Sequence, residues 1–170
     1  MSEGTHFLPI IPSNVKKLKK INRIILCSGQ VFYAIEKVRE LNQLDNIAIV
    51  RLEQLSPVPY ALLVEELDRY PSDAEIIYCQ EEPMNLGPYP YLEPRIEVAL
   101  QSLSKKHSGK RVSYAGRAPT AAVATGFKSL HHQEELELLS MALTGKANTP
   151  VEKMSGGFPI FRFTKKNSSK

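Results

Sequence analysis

Cysteine is scarce. Only Cys27 and Cys79 occur among 170 residues, which excludes a disulfide framework and a cysteine-rich metal cluster and points to a reduced, intracellular setting with two core thiols. Long apolar runs are missing as well: no stretch approaches the roughly 18 residues of a membrane-spanning helix, and Met1 does not lead into a charged-then-apolar signal segment. A soluble chain without membrane contact is expected. Histidine is sparse and poorly spaced for a metal. His6, His107, His131 and His132 have no cysteine or acidic ligand at a suitable offset, and adjacent residues do not share one helical face. No metal site is expected. No serine, cysteine or threonine nucleophile pairs recognisably with a histidine, and no catalytic residue is assigned.

What is present is an ordinary globular composition, 42% apolar and 24% charged, at a length that buries roughly 70% of the unfolded surface in a single core. The net charge of +4 is unevenly placed. Lys16, Lys17, Lys19, Lys20 and Arg23 make residues 1–23 net +4, residues 146–170 are net +5, and the body between them is net −5. A nucleic-acid binder carries its basic groups on the ordered body, at fixed phosphate spacing, so nucleic acid is not an expected partner. The basic flanks read as solvated segments, or as a contact for an acidic partner.

The apolar pattern alternates between two periods. Arg23–Cys27, Ile47–Leu52, Glu75–Gln80 and Arg111–Gly116 are short apolar runs of the kind that form buried strands. Between them the apolar residues fall at helical spacing. Val31, Ala34, Ile35, Val38 and Leu41 make one stripe; Tyr60, Leu63, Val64 and Leu67 make a second, with Pro59 at a first helical position and Pro71 beyond the end. Leu92, Ile96, Ala99, Leu100 and Leu103 form the inward side of a third helix, and a fourth is centred on Glu134–Leu143 and stopped by Gly145. Strand–helix alternation with long crossovers requires parallel strands with helices on both faces. The expected fold is a three-layer open α/β domain over residues 23–145. Residues 1–22 are a lead-in in which Phe7–Ile11 adds an edge strand, and residues 146–170 are a basic tail whose phenylalanines dock on the domain or a partner.

In such a sheet ligands bind beyond the carboxyl ends of the strands, where the winding reverses. The loops there carry Cys27-Ser-Gly-Gln30, Glu53-Gln-Leu-Ser-Pro57, Gln80-Glu-Glu-Pro-Met-Asn-Leu-Gly87 and Gly116-Arg-Ala-Pro-Thr120. Ser28-Gly29 is a tight turn or an anion-holding one, without the glycine fingerprint of a dinucleotide site. Glu81 and Glu82 are candidates for proton transfer, or for fixing the loop or an interface, and adjacency favours the second kind of role. Arg117, Lys128 and Arg95 are candidates for an anion pocket, or for surface ion pairs.

Several of these stretches, taken together, closely resemble the C-terminal end of the decarboxylase component of 2-oxoglutarate dehydrogenases. They are Gly4-Thr-His-Phe7, Val15 through Ile25-Leu-Cys-Ser-Gly29, Ile47 through Pro57, Tyr70-Pro, Cys79-Gln-Glu-Glu-Pro83 with Asn85 and Gly87, Tyr114-Ala-Gly-Arg117 with Pro119, and Ala124-Thr-Gly126 with Lys128 and His131. The likeness runs from about Gly4 to Gly145; 2-oxoadipate dehydrogenases are a close rival. The resemblance implies a transketolase-type C-terminal domain, a mostly parallel five-stranded sheet with one antiparallel edge strand. It also implies a parent oxidoreductase of the tricarboxylic acid cycle that uses thiamine diphosphate and Mg²⁺ and passes a succinyl group to the lipoyl arm of a partner succinyltransferase. In the family the cofactor lies between upstream domains, held by a Gly-Asp-Gly stretch, and no Gly-Asp-Gly occurs here. No cofactor is therefore expected on this chain alone.

The resemblance further implies contacts with the remaining domains, a homodimer, and a regulatory site for acetyl-CoA or nucleotide at Arg117 and Lys128 beside Glu82 and Asn85. The compartment implied is the mitochondrial matrix in a eukaryote and the cytoplasm in a bacterium. The reading is a domain or fragment of that enzyme without a complete active site. The alternative is a free-standing regulatory or interaction module for an anionic metabolite.

Overall fold

The computed structural model describes residues 6–163. The first residues of the lead-in, and residues 164–170 of the expected tail, lie outside that range. The chain runs β1 (Ile10–Ile11), β2 (Arg23–Cys27), α1 (Val31–Leu41), β3 (Ile47–Leu52), α2 (Tyr60–Leu67), β4 (Glu75–Pro83), α3 (Tyr89–Val98), β5 (Ser113–Arg117), α4 (Lys128–Thr144), β6 (Val151–Ser155) and β7 (Phe158–Phe161). The main sheet has the order β1-β3-β2-β4-β5, with β1 antiparallel to β3 and the other pairs parallel. This is the five-stranded, mostly parallel sheet expected above.

The helices divide between its faces. Ile24, Leu26, Val50, Leu52, Ile76 and Tyr78 pack under α2 and α3, whereas Ile25, Cys27, Ile49, Ile77 and Cys79 pack under α1 and α4. Successive residues of a strand point to opposite faces, so each central strand feeds both cores, which is why these runs are apolar throughout.

Details depart from the sequence pattern in instructive ways. The edge strand is only Ile10–Ile11, and Phe7 and Leu8 stand exposed. Pro9 lacks an amide, yet its carbonyl accepts from the amides of Glu53 and Gln54 at 2.9 and 3.0 Å, which fixes the edge. Pro59 caps α2 from outside instead of beginning it. The third helix widens into a π-helical turn over Ala99–Leu103, and the added residue per turn rotates Leu103 off the inward stripe to 50% exposure. β4 continues through Glu81 and Glu82 to Pro83, so these carboxylates lie on a strand and not in the loop. β5 is displaced to Ser113–Arg117. α4 begins six residues earlier than the apolar pattern indicates, because its first turns are exposed and carry no stripe. Gly145 ends α4 in the left-handed conformation, at φ 77°.

Beyond Gly145, β6 and β7 form an antiparallel hairpin around Gly156-Gly157, both of positive φ. β7 packs on α1, and Phe161 is 3% exposed within the α1/α4 core. The Asn42 side chain holds it there, donating to the Pro159 carbonyl at 3.1 Å and accepting from the Phe161 amide at 2.7 Å. The sequence pattern indicated no element in this stretch, because β6 is exposed along almost its whole length.

Candidate functional site

β2 and β4 are neighbours, but the chain leaves β2 toward β3 on one side and returns to β4 on the other. The winding reverses between them, and the crevice above their carboxyl ends is the expected ligand position. Its floor is inert. Cys27 and Cys79 are fully buried; burial pushes the Cys27 thiol up to about 12 and the Cys79 thiol well above its ordinary value, so neither supplies a thiolate.

On the β2 side the turn at Ser28-Gly29 has Gly29 at φ 69°. Its amide already faces a carboxylate: Glu53 Oε1 accepts from the Gly29 amide at 3.4 Å and from Arg51 Nε at 2.7 Å. The anion held by this turn is the protein's own side chain. The Arg51 guanidinium in turn lies 4.7 Å over the Phe32 ring, which fixes the start of α1 to the rim.

On the β4 side the Glu-Glu-Pro segment is shaped by Gln80. This buried amide donates to the carbonyls of Glu82 and Pro83 at 3.2 and 2.9 Å and accepts from the Tyr89 amide at 2.8 Å. It thereby closes the loop that begins α3. A Cβ at Gly87 would stand 2.4 Å from Gln80 Nε2, and one at Gly116 would stand 2.3 Å from the Tyr114 hydroxyl. Both glycines are required by close approach. Tyr114 donates to the Arg117 carbonyl at 2.9 Å, and its ring lies 4.6 Å from that of Tyr89. Asn85 ties this loop to the next by a reciprocal pair with Thr120, at 2.9 and 3.0 Å.

Arg117, at the end of β5, stands between two clefts. The first, of about 330 Å³ between α1 and α4, is walled by Gln30, Tyr33, Glu81, Arg117, His131 and Glu135. The second, of about 420 Å³ under the 118–127 loop, is walled by Pro83, Thr120, Thr125, Phe127 and Glu134 beside Arg117. The guanidinium is only 14% exposed. Its Nη2 meets His131 Nδ1 at 2.8 Å, and its buried Nε makes no hydrogen bond, standing 3.5 Å from a Glu134 carboxylate that Thr125 also reaches at 2.6 Å.

Of the residues singled out in the sequence, Glu81 and Arg117 share a cleft. Glu82 is exposed and contributes its backbone carbonyl to Gln80. Lys128 begins α4 and lines neither cleft. Arg95 lies on α3, stacked 3.6 Å over Tyr91 and donating to the Tyr91 carbonyl at 2.6 Å. The three cations expected in one anion pocket thus occupy three places. Sequence reasoning missed Gln80, and it missed Glu134 and His131 as partners of Arg117; the adjacent glutamates drew notice away from the buried amide. Among the described residues no three His, Cys, Asp or Glu side chains are grouped to share a metal ion. No helix among the described residues is long and apolar enough to cross a membrane.

The family model for the 2-oxoglutarate dehydrogenase C-terminal region matches residues 1–143. The chain is 44% identical over 145 residues to the mitochondrial 2-oxoglutarate dehydrogenase of Schizosaccharomyces pombe, covering 84% of this chain and 13% of that protein. It is 38% identical over 138 residues to the mitochondrial 2-oxoglutarate dehydrogenase of Dictyostelium discoideum, covering 81% and 13%. It is 36% identical over 141 residues to a probable 2-oxoadipate dehydrogenase E1 homologue of the same organism, covering 82% and 15%. The chain thus spans about an eighth of the length of the curated relatives it matches. The match of the family model over residues 1–143, together with relatives of 36–44% identity, leads to one conclusion: the chain belongs to the 2-oxoglutarate dehydrogenase C-terminal family.

Proposed function

We propose that this chain is the C-terminal domain of a thiamine diphosphate-dependent 2-oxoglutarate dehydrogenase and acts together with the remaining domains of that enzyme. The carrying observation is coverage: the family match takes in nearly all of this chain and only about an eighth of its relatives. The cofactor and Mg²⁺ belong to the rest of the enzyme, because the Gly-Asp-Gly stretch that holds them in the family does not occur in this chain. The 23–145 segment is the domain proper. Its contribution is dimerisation and anion sensing at the rim. The apolar surface that Val123 and Phe127 expose, at 83% and 75%, is the kind of patch that another subunit covers, and Arg117 faces both adjoining clefts. The compartment is the mitochondrial matrix in a eukaryote and the cytoplasm in a bacterium, and the lipoyl-bearing succinyltransferase is an indirect partner.

Calorimetric titration of the chain with thiamine diphosphate plus Mg²⁺, acetyl-CoA and AMP, with a light-scattering mass on the same sample, tests this reading. The expected result is no heat from thiamine diphosphate and a dimer that Phe127→Asp dissociates. Heat from acetyl-CoA or AMP is expected to be lost in Arg117→Ala. Tight binding of thiamine diphosphate overturns the assignment.

A second reading, a free-standing module that senses an anionic metabolite, draws support from the hairpin at 151–161. It lies beyond the family match and closes the α1/α4 core from within this chain. Retention of acetyl-CoA binding by a monomeric chain favours it.

A further inference from the structure

A wide groove lies at the opposite pole, where the strands begin. It holds about 990 Å³ between the turn preceding β2 and the segment joining α2 to β4. Four lysines of the lead-in, Lys16, Lys17, Lys19 and Lys20, line it together with Arg69 and Lys106. All six are exposed. Leu18 and Pro71, half-buried, give it an apolar floor against the buried ring of Tyr70.

Two nearby acids are already committed, whereas Asp73, next to Ser72, is exposed and makes no ion pair among the described residues. Glu66 is buried and receives hydrogen bonds from Tyr70 Oη and Arg69 Nη1. Asp68 accepts from Ser104 Oγ at 2.6 Å and from the amides of Lys105 and Lys106 at 3.1 and 3.4 Å. Among the described residues none of the five lysines has a carboxylate within 4.0 Å. Five unpaired cations around one groove repel each other and attract a polyanion.

We infer that this groove docks an acidic polypeptide segment carrying an apolar side chain between its carboxylates. Its cations are chiefly lysines, hydrated point charges on flexible stems, and its one guanidinium fork is engaged by Glu66, so it lacks the bidentate geometry that recognises phosphate. Its aromatic ring, Tyr70, is fully buried and offers no face for base stacking. A free phosphate leaves the apolar floor uncovered, whereas a peptide places a side chain on Leu18 and Pro71 while its carboxylates meet the lysine heads. The volume accommodates several residues. The site stands apart from the strand-end rim, so it neither depends on the regulatory reading nor fails with it.

The test is fluorescence anisotropy of the full chain with a labelled short polyglutamate peptide containing one central leucine. Saturable binding is expected at low salt, falling steeply as ionic strength rises. The Lys17→Glu/Lys19→Glu variant should weaken it about tenfold, and so should glycine in place of the peptide's leucine, though by less. Lys37→Glu on α1 and Arg117→Ala on the rim should leave it unchanged. Equal loss in Lys37→Glu, indifference to the central leucine, absence of binding, or tighter binding of inorganic triphosphate, single-stranded DNA or phosphatidylserine vesicles overturns the inference.

Discussion

The side-chain amide of Gln80 fills the space into which a Cβ on residue 87 would project, 2.4 Å from its nitrogen. The two positions are therefore coupled: the glycine is needed because the glutamine is there. Gly87→Ala should cost about 2 kcal/mol by overpacking. Gln80→Ala should cost about 2 kcal/mol by leaving the Tyr89 amide and two carbonyls without their partner. The double variant should lose less than the sum, since the smaller residue at 80 vacates the contested space. Urea melts of the three variants measure the coupling, and strict additivity would contradict it.

Phe161→Ala should destabilise the domain by about 3 kcal/mol, because the ring is 3% exposed among Ile35, Val38 and Leu139. Asn42→Ala should reproduce part of that loss by freeing the backbone of β7. A denaturation midpoint unchanged in both variants would show that the hairpin does not close the core.

Stability should fall as pH drops below about 6.5, the ordinary histidine value. Burial holds the His107 imidazole below that value, against the Leu67 carbonyl and the Asp68 charge, which act in the opposite direction. Below the ordinary value the unfolded chain takes up a proton that the folded chain refuses, so acid favours unfolding. Melts of the wild type and of His107→Gln across this range should differ in slope, with the variant flatter. Asp68 adds a separate loss at still lower pH: although burial works against it, the bonds from Ser104 and two amides keep its carboxyl below the usual range. That contribution is present above the ordinary aspartate value and disappears as pH falls through the lowered one.

Asn85→Ala should unfasten the 118–126 loop without unfolding the sheet. Its reciprocal pair with Thr120 is the tie between the two rim loops, and the loop is otherwise exposed. Hydrogen exchange should quicken at residues 118–126 while amides of β2, β3 and β4 keep their protection. Uniform quickening throughout would count against this local role.

The legibility of the sequence followed burial. Arg23–Cys27 and Ile47–Leu52 are read to the residue because they are buried on both faces and so apolar throughout, and Val31–Leu41 because its one buried face follows its apolar spacing. α4 was legible only in its second half, since Leu130 and the residues around it face outward at its start. Position on the rim was legible from the alternation of elements, but the company of Arg117 was not. His131 and Glu134 come near it only because α4 begins at Lys128, earlier than any apolar stripe indicates. His107, fully buried in a stretch otherwise polar, gave no signal of its burial.

The Asn42 clasp spans 119 residues of sequence. While the chain is being synthesised, α1 emerges long before β7 exists, and its outer face stays uncovered until the ribosome has released the hairpin. Contacts of such separation form late and leave apolar surface open in the interval. For this domain that surface is the part of the α1/α4 core that Phe161 closes, which makes it the place where a nascent or refolding chain is most open to chaperone capture.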